Sequence, residues 1–256
     1  MAEPQQAAAA GAGVPQPEYH PEKVILSKAT IVAGLENPAA IMLFLEKIGK
    51  VSHASPVGIR GQAGAESFIR MIVKLGHESV LEHISVTVCV ECDRAMAQQW
   101  TRHRLAAYTM ESQRYVSYKE VRFVDPEFKS TATGHYYTRD KVAHAGCCAS
   151  AEVVPEDVKT LYGAWEQACT TVEHQYQMLR NSGAPPEDAR SVLPNCTRTV
   201  FYTTANLRVW RHILRMRTAV GAQHNIRRVM VDLYNQFYAK LPAVFWDIVV
   251  DECGEQ

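Results

Sequence analysis

The sequence has no excess charge of either sign, because 27 lysines and arginines are balanced by 27 aspartates and glutamates. A general nucleic-acid-binding protein is usually basic overall, so this balance argues against that class. Apolar runs long enough to span a membrane are also absent, and the N-terminus has no basic segment followed by an apolar one. We therefore expect a cytoplasmic protein that binds neither nucleic acid nor a membrane.

The chain likewise lacks the usual sequence patterns of disulfide, metal and dinucleotide sites. Its seven cysteines are an odd number without framework spacing, which predicts reduced thiols. Cys89 and Cys92 have no second pair nearby, and side chains three apart on a strand face opposite sides, so we predict no metal there. No Gly-x-Gly-x-x-Gly follows a predicted strand and no Gly-x-Ser-x-Gly surrounds Ser112. These absences exclude a dinucleotide-binding fingerprint and a serine-nucleophile elbow.

Length and composition are those of a globular domain. With 256 residues, of which 47% are hydrophobic, the chain can bury a packed core. Residues 1–21 are rich in Ala, Pro and Gln and have nothing to bury, so we predict a disordered tail. No internal repeat or linker divides the remainder, and we predict one domain over residues 22–256.

Strand patterns are clearest between His83 and Glu91, where apolar residues alternate with more polar ones. This alternation is typical of a half-buried strand. β-branched and aromatic composition predicts three more strands, at Lys23–Val32, Val116–Val124 and Thr197–Thr204. Residues 125–150 have no periodicity, and we interpret them as a variable excursion.

Helical spacing of apolar residues, together with caps and glycine stops, predicts seven helices. Their approximate limits are 37–48, 68–76, 93–100, 155–183, 185–190, 206–217 and 223–240. The second follows a glycine-bearing loop at Gly58–Gly64, and its predicted core face consists of Phe68, Met71, Ile72 and Leu75. In the sixth helix the residues predicted to face inward are Leu207, Trp210 and Leu214. The arginines predicted to lie elsewhere on the sixth helix are Arg208, Arg211 and Arg215.

The densest cluster of reactive side chains follows the predicted helix at 93–100. It runs from Arg102 to Tyr115, with the sequence RHRLAAYTMESQRY, and contains three arginines, a histidine, a serine and two tyrosines. Arginines at the end of a helix form a fork-shaped donor set that suits phosphate or pyrophosphate. For an isolated Arg-His-Arg, the alternative is a solvated basic helix end favoured by the helix dipole.

The full spacing of this cluster resembles the signature of the flavin-dependent thymidylate synthases. In both, Arg-His-Arg is followed after seven residues by Ser, and then by Arg-Tyr. Three further blocks stand in the order of that family: GHES…EH at 76–83, ARSVLP at 189–194 and NLR…LRMR at 206–217. The resemblance covers roughly residues 64–240. It implies an α+β fold in which a small, mostly antiparallel sheet is flanked by helices.

The resemblance also implies a function, the reductive methylation of dUMP to dTMP. Methylenetetrahydrofolate would supply the carbon, FAD would carry electrons, and NADPH would be the reductant. It implies a homotetramer whose active sites are shared between subunits. Arg217 is implied as the catalytic residue, because a fixed cation beside the uracil stabilises negative charge as it develops there.

Two sets of contact residues follow from the resemblance. The implied flavin contacts are Ser52, His77, Ser79, Glu82, Arg102, His103, Arg104, Asn206, Arg208 and His212. Of these, His77, Ser79 and Glu82 are implied to reach the flavin from the neighbouring subunit. The implied dUMP contacts are Gln99, Arg102, Glu111, Ser112, Gln113, Arg114, Arg190 and Arg217. Ser112 has no adjacent base to activate it, so we interpret its hydroxyl as a hydrogen-bonding group and not as a nucleophile.

The positions at which the chain departs from the family pattern are Ala107, Met110, His212 and Asn225. Met110 cannot make the polar contact expected at its position, whereas Glu111 carries a carboxylate one place later. These departures leave open an alternative, a catalytically impaired paralogue that retains flavin or nucleotide binding. A basic helical nucleic-acid-binding protein is a second alternative, and the neutral net charge argues against it.

Overall fold

The computed structural model of the chain describes residues 21–52, 54–55, 61–145 and 153–250. Residues 1–20 of the predicted tail lie outside the described residues. The strands are β1 (Val24–Ile25), β2 (Lys28–Ala33), β3 (Ser85–Asp93), β4 (Ala107–Met110), β5 (Phe123–Val124), β6 (Phe128–Lys129), β7 (Tyr136–Tyr137) and β8 (Arg198–Asn206). The helices are α1 (Pro38–Val51), α2 (Gly61–Lys74), α3 (Arg94–Trp100), α4 (Arg139–Ala143), α5 (Glu156–Asn181), α6 (Pro186–Ala189), α7 (Leu207–Thr218), α8 (His224–Lys240) and α9 (Pro242–Phe245). Short 3₁₀ helices span Pro21–Lys23, Glu78–His83 and Arg190–Val192.

The main sheet has four strands in the order β2-β3-β8-β4, and all its pairings are antiparallel. β3 and β8 pair along nine residues each, from Ser85 opposite Asn206 to Asp93 opposite Arg198. The alternation predicted for β3 is confirmed, because Val86, Val88 and Val90 are fully buried. The predicted α+β class with a small, mostly antiparallel sheet is therefore confirmed.

Three helices beside this sheet, α1, α3 and α7, begin at residues whose side chains cap them. The Asn37 side chain accepts a hydrogen bond from the Ala40 backbone N–H at 3.0 Å, and Pro38 occupies the first turn of α1. Asp93 caps α3 and Asn206 caps α7 in the same way. Each such cap satisfies a backbone donor that the helix cannot, which is worth about 1 kcal/mol. No helix among the described residues is both long and apolar enough to cross a membrane.

The core lies between the sheet and helices α7 and α8. Trp210 of α7 is fully buried, and its indole N–H donates to the Val86 backbone oxygen at 3.0 Å. Leu207 and Leu214 are also buried, as the helical spacing predicts. Phe237 of α8 packs against Trp210 with ring centroids 5.3 Å apart. These contacts fix α7 over the end of the sheet, where the candidate site forms.

Two strand predictions require correction. The predicted strand Val116–Val124 is wrong over most of its length, because only Phe123 and Val124 are extended in a strand, β5. The predicted strand Lys23–Val32 is divided, since Val24 and Ile25 form β1, which pairs in parallel with β5, and β2 begins only at Lys28. β4, which no sequence pattern predicted, lies at the sheet edge against β8. A four-residue edge strand owes its conformation to the strand beside it, so local composition is a poor guide.

The predicted core face of α2 is right for Ile72, which is buried, and for Phe68, which packs against the core, but wrong for Met71 and Leu75. The buried residues of α2 are Ala65, Ile69, Ile72 and Val73. Met71 and Leu75 are 48% and 59% exposed. The helix begins at Gly61, within the predicted loop. The sequence of α2 has two apolar stripes at helical spacing, and packing against α1 and α9 decides which one is buried.

Arg211 is a further correction, because it is fully buried instead of lying outside the core. Its guanidinium contacts Glu78 at 2.9 Å and Asp247 at 2.8 Å, and it also donates to the Val244 backbone oxygen. A buried charge is tolerated only when it is paired and hydrogen-bonded. The two carboxylates lie far from Arg211 in sequence, so helical periodicity cannot reveal them.

The described part of the predicted excursion, residues 125–145, contains more regular structure than its composition predicts, and residues 146–150 lie outside the described residues. β6 and β7 form a hairpin, followed by α4. Asp125 anchors the segment, since its carboxylate accepts from the Tyr162 hydroxyl at 2.5 Å and from the Arg139 backbone N–H at 2.6 Å. Tyr162 belongs to the long helix α5, which ends at Asn181 just before Gly183 (φ +92°), close to its predicted limits.

Candidate active site

A cleft of about 900 Å³ opens between the segment that follows α3, one side of α7 along its length and the 3₁₀ helix Glu78–His83. Seven of the predicted flavin contacts lie in its lining: Glu82, Arg102, His103, Arg104, Asn206, Arg208 and His212. Arg217, the predicted catalytic residue, lines the same cleft. The structure thus brings together residues from three separate blocks of the sequence.

Helix α7 supplies one wall of the cleft because its start is fixed. Asn206 ends β8, and its side chain accepts from the Val209 backbone N–H at 2.9 Å. From this cap, Arg208, His212 and Arg215 recur at helical spacing and line the cleft together. Trp210, between them in sequence, is fully buried on the opposite side. One amphipathic helix therefore holds both the core and the cleft wall.

His103 and Arg217 form a directed pair at the centre of the site. The Arg217 Nε donates to His103 Nε2 at 3.0 Å, and Arg217 Nη2 donates to the Gln99 backbone oxygen at 3.0 Å. Since Nε2 of His103 accepts a hydrogen bond, its proton lies on Nδ1. Burial lowers the pKa of His103 to about 4, with further contributions from the charges of Arg217 and His212. His103 is therefore neutral at physiological pH, and Arg217 is held by two uncharged partners.

The cationic side chains of the cleft differ in how far their charge is compensated. Arg208 pairs with Glu82 at 2.5 Å, and Arg215 pairs with Asp247 at 2.6 Å. Among the described residues, no carboxylate pairs with Arg102, Arg104 or Arg217, which also line the cleft. The cleft thus presents three uncompensated positive charges, which favour an anionic ligand.

Three of the predicted flavin contacts lie outside this lining. His77 and Ser79 are exposed at the start of the 3₁₀ helix that carries Glu82. Ser52 is at the C-terminal end of α1, where its hydroxyl donates to the Gly49 backbone oxygen at 3.2 Å. None of the three joins the cleft within one chain.

The predicted dUMP contacts form a second group around the turn that follows β4. Ser112 accepts from the Arg114 backbone N–H at 3.2 Å, and Arg114 Nε contacts Glu187 at 2.7 Å. Arg190 donates to the Glu187 backbone oxygen at 3.1 Å, so both predicted phosphate-binding arginines meet at α6. The Gln113 Nε2 amide is buried without a hydrogen-bond partner. Of the predicted dUMP contacts, Arg102 and Arg217 line the cleft. Gln99 does not line it, but its backbone oxygen accepts a hydrogen bond from Arg217.

The four departures from the family pattern lie in three places: the cleft, strand β4 before the turn, and helix α8. His212 lines the cleft. Met110 lies on β4, where its sulfur accepts from Arg94 at 3.8 Å, and Ala107 begins the same strand. Asn225 is buried, and its side chain donates to the Pro126 backbone oxygen at 3.1 Å. Asn225 therefore tethers α8 to the segment that follows β5.

Sequence reasoning missed several residues of the cleft. These are Glu78, Leu105, Val209, Arg215 and Met216. The spacing of Arg215 from Arg208 was a usable signal, because both lie on one face of α7. No group of three or more potential metal ligands is found among residues 21–52, 54–55, 61–145 and 153–250.

Comparison with known sequences identifies the family of this chain. The pattern of the family described as "Thymidylate synthase complementing protein" matches residues 27–243. The chain belongs to this flavin-dependent thymidylate synthase family. Three members of the family show the degree of similarity. A flavin-dependent thymidylate synthase from Thermococcus onnurineus is 33% identical over 173 residues, which cover 66% of this chain and 60% of that protein.

Two other relatives of the same name match more of their own length. The protein from Geobacter sulfurreducens is 32% identical over 71% of this chain and 68% of its own. The protein from Pyrococcus furiosus is 31% identical over 70% of this chain and 69% of its own. The chain thus spans about 60–70% of the length of these relatives, and their names state a dependence on flavin.

Solved structures support the fold. A UMP/dUMP methylase, PolB from Streptomyces cacaoi, crystallised with 5-Br dUMP, superposes with a TM-score of 0.69 at 23% identity. The superposition covers 87% of this chain and 95% of PolB. A second PolB structure, bound with 5-Br UMP, gives a TM-score of 0.65 at 22% identity. At this identity the likeness shows a shared fold.

Proposed function

We propose that the chain catalyses the reductive methylation of dUMP to dTMP. Methylenetetrahydrofolate supplies the carbon, FAD carries the electrons, and NADPH is the reductant. The observation that carries the proposal is the pair of Arg217 and neutral His103 in a cleft with two further uncompensated arginines. Such a cleft combines a preorganised cation with a binding site for a polyanionic cofactor.

The residues present fit FAD. Arg102 and Arg104 give the cleft fork-shaped donors for a pyrophosphate, and no carboxylate competes for them among the described residues. A volume of about 900 Å³ accommodates a large cofactor. When bound, the flavin supplies the electron transfer of the reaction. Arg102, His103, Arg104, Asn206, Arg208 and His212 would hold it from one chain, in which Glu82 also lines the cleft. His77 and Ser79 would reach it from a neighbouring chain.

Arg217 supplies the electrostatic part of the mechanism. Its hydrogen bonds to His103 and Gln99 fix the plane of the guanidinium, so no reorganisation is needed when charge develops on the uracil. Because His103 remains neutral, its Nε2 can accept the Arg217 hydrogen bond, and its ring does not repel the guanidinium. A donor fixed in this way is worth about 2.7–4 kcal/mol of transition-state stabilisation.

The turn Ser112–Arg114, called the nucleotide-binding turn below, completes the site from a second subunit. In one chain Ser112, Gln113, Arg114 and Arg190 lie around the turn and α6, apart from the cleft lining. Two arginines that meet there suit a phosphate dianion, and the unpartnered Gln113 amide is a donor for a ligand. A homotetramer that places the turn of one chain beside the cleft of another would join the two halves.

The direct test uses the purified full-length chain. Its absorbance spectrum should show flavin bands, and it should release tritium from 5-tritiated dUMP when methylenetetrahydrofolate and NADPH are present. A colourless protein that does not bind added FAD would overturn the assignment of the cleft. Flavin bands without tritium release at any enzyme concentration would overturn the assignment of the reaction.

The impaired paralogue is the second candidate, and Met110 favours it. Its thioether faces Arg94 where the family pattern has a polar group, so this position offers the nucleotide no charged or amide contact. The same experiment separates the candidates, because a paralogue would bind FAD or dUMP in equilibrium titrations and yet release no tritium.

A further inference from the structure

A chain of ion pairs crosses the main sheet and ends beside the nucleotide-binding turn. Lys28 of β2 contacts Glu91 of β3 at 3.1 Å. Arg198 of β8 contacts the other oxygen of Glu91 at 2.7 Å, and a second nitrogen of Arg198 contacts Glu111 at 3.3 Å. Glu111 follows β4, so the four charges connect all four strands of the sheet.

Glu111 is held at three points. One carboxylate oxygen faces Arg198, and the other accepts from the Tyr118 hydroxyl at 2.7 Å. The backbone N–H of Glu111 donates to the Val200 oxygen at 2.9 Å, which extends the pairing of β4 by one residue. Burial, and then the hydrogen bond to Glu111, raise the pKa of Tyr118, so its hydroxyl remains a donor at neutral pH. Both carboxylate oxygens are thus engaged within the chain.

Arg198 is well suited to hold this carboxylate. Its side chain is only 24% exposed and is anchored on β8, one of the two inner strands of the sheet. Burial raises the pKa of Glu91, but hydrogen bonds from Arg198 and Lys28 outweigh it and keep that pKa below its usual range. Glu91 therefore stays ionised and holds Arg198 through Nε, while Nη1 of Arg198 is directed to Glu111.

We propose that Arg198 and Glu111 are positioning residues for the Ser112–Arg114 turn, and that Glu111 does not itself contact the nucleotide. The carboxylate that precedes Ser112 is committed to Arg198 and Tyr118, whereas Ser112 and Arg114 are the groups that the turn presents. This inference rests on the proposed function for the identity of the ligand, dUMP. It assigns to Arg198, which lies outside the four sequence blocks, a role in nucleotide affinity.

A double-mutant cycle tests the inference with the flavin-loaded enzyme. Glu111→Gln and Arg198→Met should each raise the KM for dUMP about tenfold, because each removes the same charge-assisted hydrogen bond. The double variant should also show about a tenfold increase, since coupled residues are not additive. The kcat should stay within about twofold of the wild type. Independent effects, about a hundredfold in the double variant, or a loss of kcat confined to Glu111→Gln, would overturn the proposal.

Hydrogen exchange supplies a readout that needs no dUMP. Amides of residues 112–118 should exchange faster in both single variants than in the wild type, while those of β3 should not change. Arg139→Met is the matched control, because Arg139 pairs with Glu166 at 2.8 Å with a similar exposure of 20%, away from the turn. Unchanged exchange at 112–118 in Arg198→Met, or an equal increase in the control, would overturn the positioning role. If the wild type shows no dUMP turnover, the proposed function fails while the exchange result still decides whether Arg198 orders the turn.

Discussion

The cleft and the turn Ser112–Arg114 differ in how far a single chain prepares them. In the cleft, Arg217 is fixed by His103 and Gln99. Arg217 lies on α7 and Gln99 on α3, both of which bury residues in the core, and His103 is itself buried. In the turn, Arg114 is 57% exposed and its charge is taken up by Glu187, which is itself 44% exposed. The cleft is thus preorganised within the fold, whereas the turn keeps its arginines at the surface.

This difference follows from the elements that carry each group. Helix α7 is capped by Asn206 and anchored in the core by the buried Trp210. Its side chains therefore keep a fixed spacing, and α7 can present several of them to one cleft. A turn beside an edge strand has fewer packed neighbours, and exposed ion pairs contribute only about 0–1 kcal/mol. The comparison predicts that defects in the cleft affect chemistry, and that defects in the turn affect affinity.

The largest expected effect is at Arg217. Arg217→Ala should retain FAD but lower the rate of dTMP formation about 10²–10³-fold, because a preorganised cation is lost. Ser112→Ala should instead weaken dUMP binding by about 0.5–1.5 kcal/mol and keep measurable turnover. Tritium release at saturating dUMP measures both. If Ser112→Ala released no tritium while Arg217→Ala turned over at nearly the wild-type rate, the assigned roles of cleft and turn would be wrong. That result would support covalent catalysis by Ser112.

A mixing experiment tests whether the two groups come from different subunits. Arg217→Ala damages the cleft and Arg190→Ala damages the turn, so each alone should be severely impaired at dUMP concentrations well below the KM of the Arg190→Ala variant. Subunit exchange between them should restore part of the activity, because some sites then combine an intact cleft with an intact turn. Light scattering should give about four times the chain mass of 28.6 kDa for each species.

The matched control for this experiment mixes two cleft variants. Arg102→Ala and Arg217→Ala damage the same cleft. Every cleft in their mixture therefore carries one defect, and no activity should return. Recovery in this control, or none between Arg217→Ala and Arg190→Ala after verified exchange, would contradict a shared site.

The last prediction concerns stability and the protonation of His103, and no loss of catalysis is involved. Its folded-state pKa is about 4, below the value of about 6.5 expected in an unfolded chain. Between these values the unfolded state binds more protons, so stability falls as the pH is lowered. His103 should thus cost about 2 kcal/mol of stability between pH 7 and pH 5, a dependence that His103→Gln removes. Urea denaturation of both proteins at the two pH values measures the difference, and parallel losses would show that His103 does not titrate in this way.

Several parts of the fold were open to prediction from sequence because the signals are local. The alternation of β3, the caps Asn37, Asp93 and Asn206, and the glycine after α5 each act within a few residues. The same holds for the cleft residues on α7, whose spacing follows from the helix alone. The ordered motif blocks also placed Arg102, His103 and Arg217 in one site, and the structure brings these three residues together.

Other features depend on partners that are distant in sequence. β4 is a strand because β8 lies beside it, and α2 buries Ile69 and Val73 because α1 and α9 cover that side. Arg211 can enter the core only because Glu78 and Asp247 meet it there. The sequence by itself thus determined periodicity, caps and the presence of the reactive groups. Tertiary structure alone decided which face is buried, which charges are compensated and which arginines remain available to a ligand, because burial and ion pairing depend on residues that local periodicity does not connect.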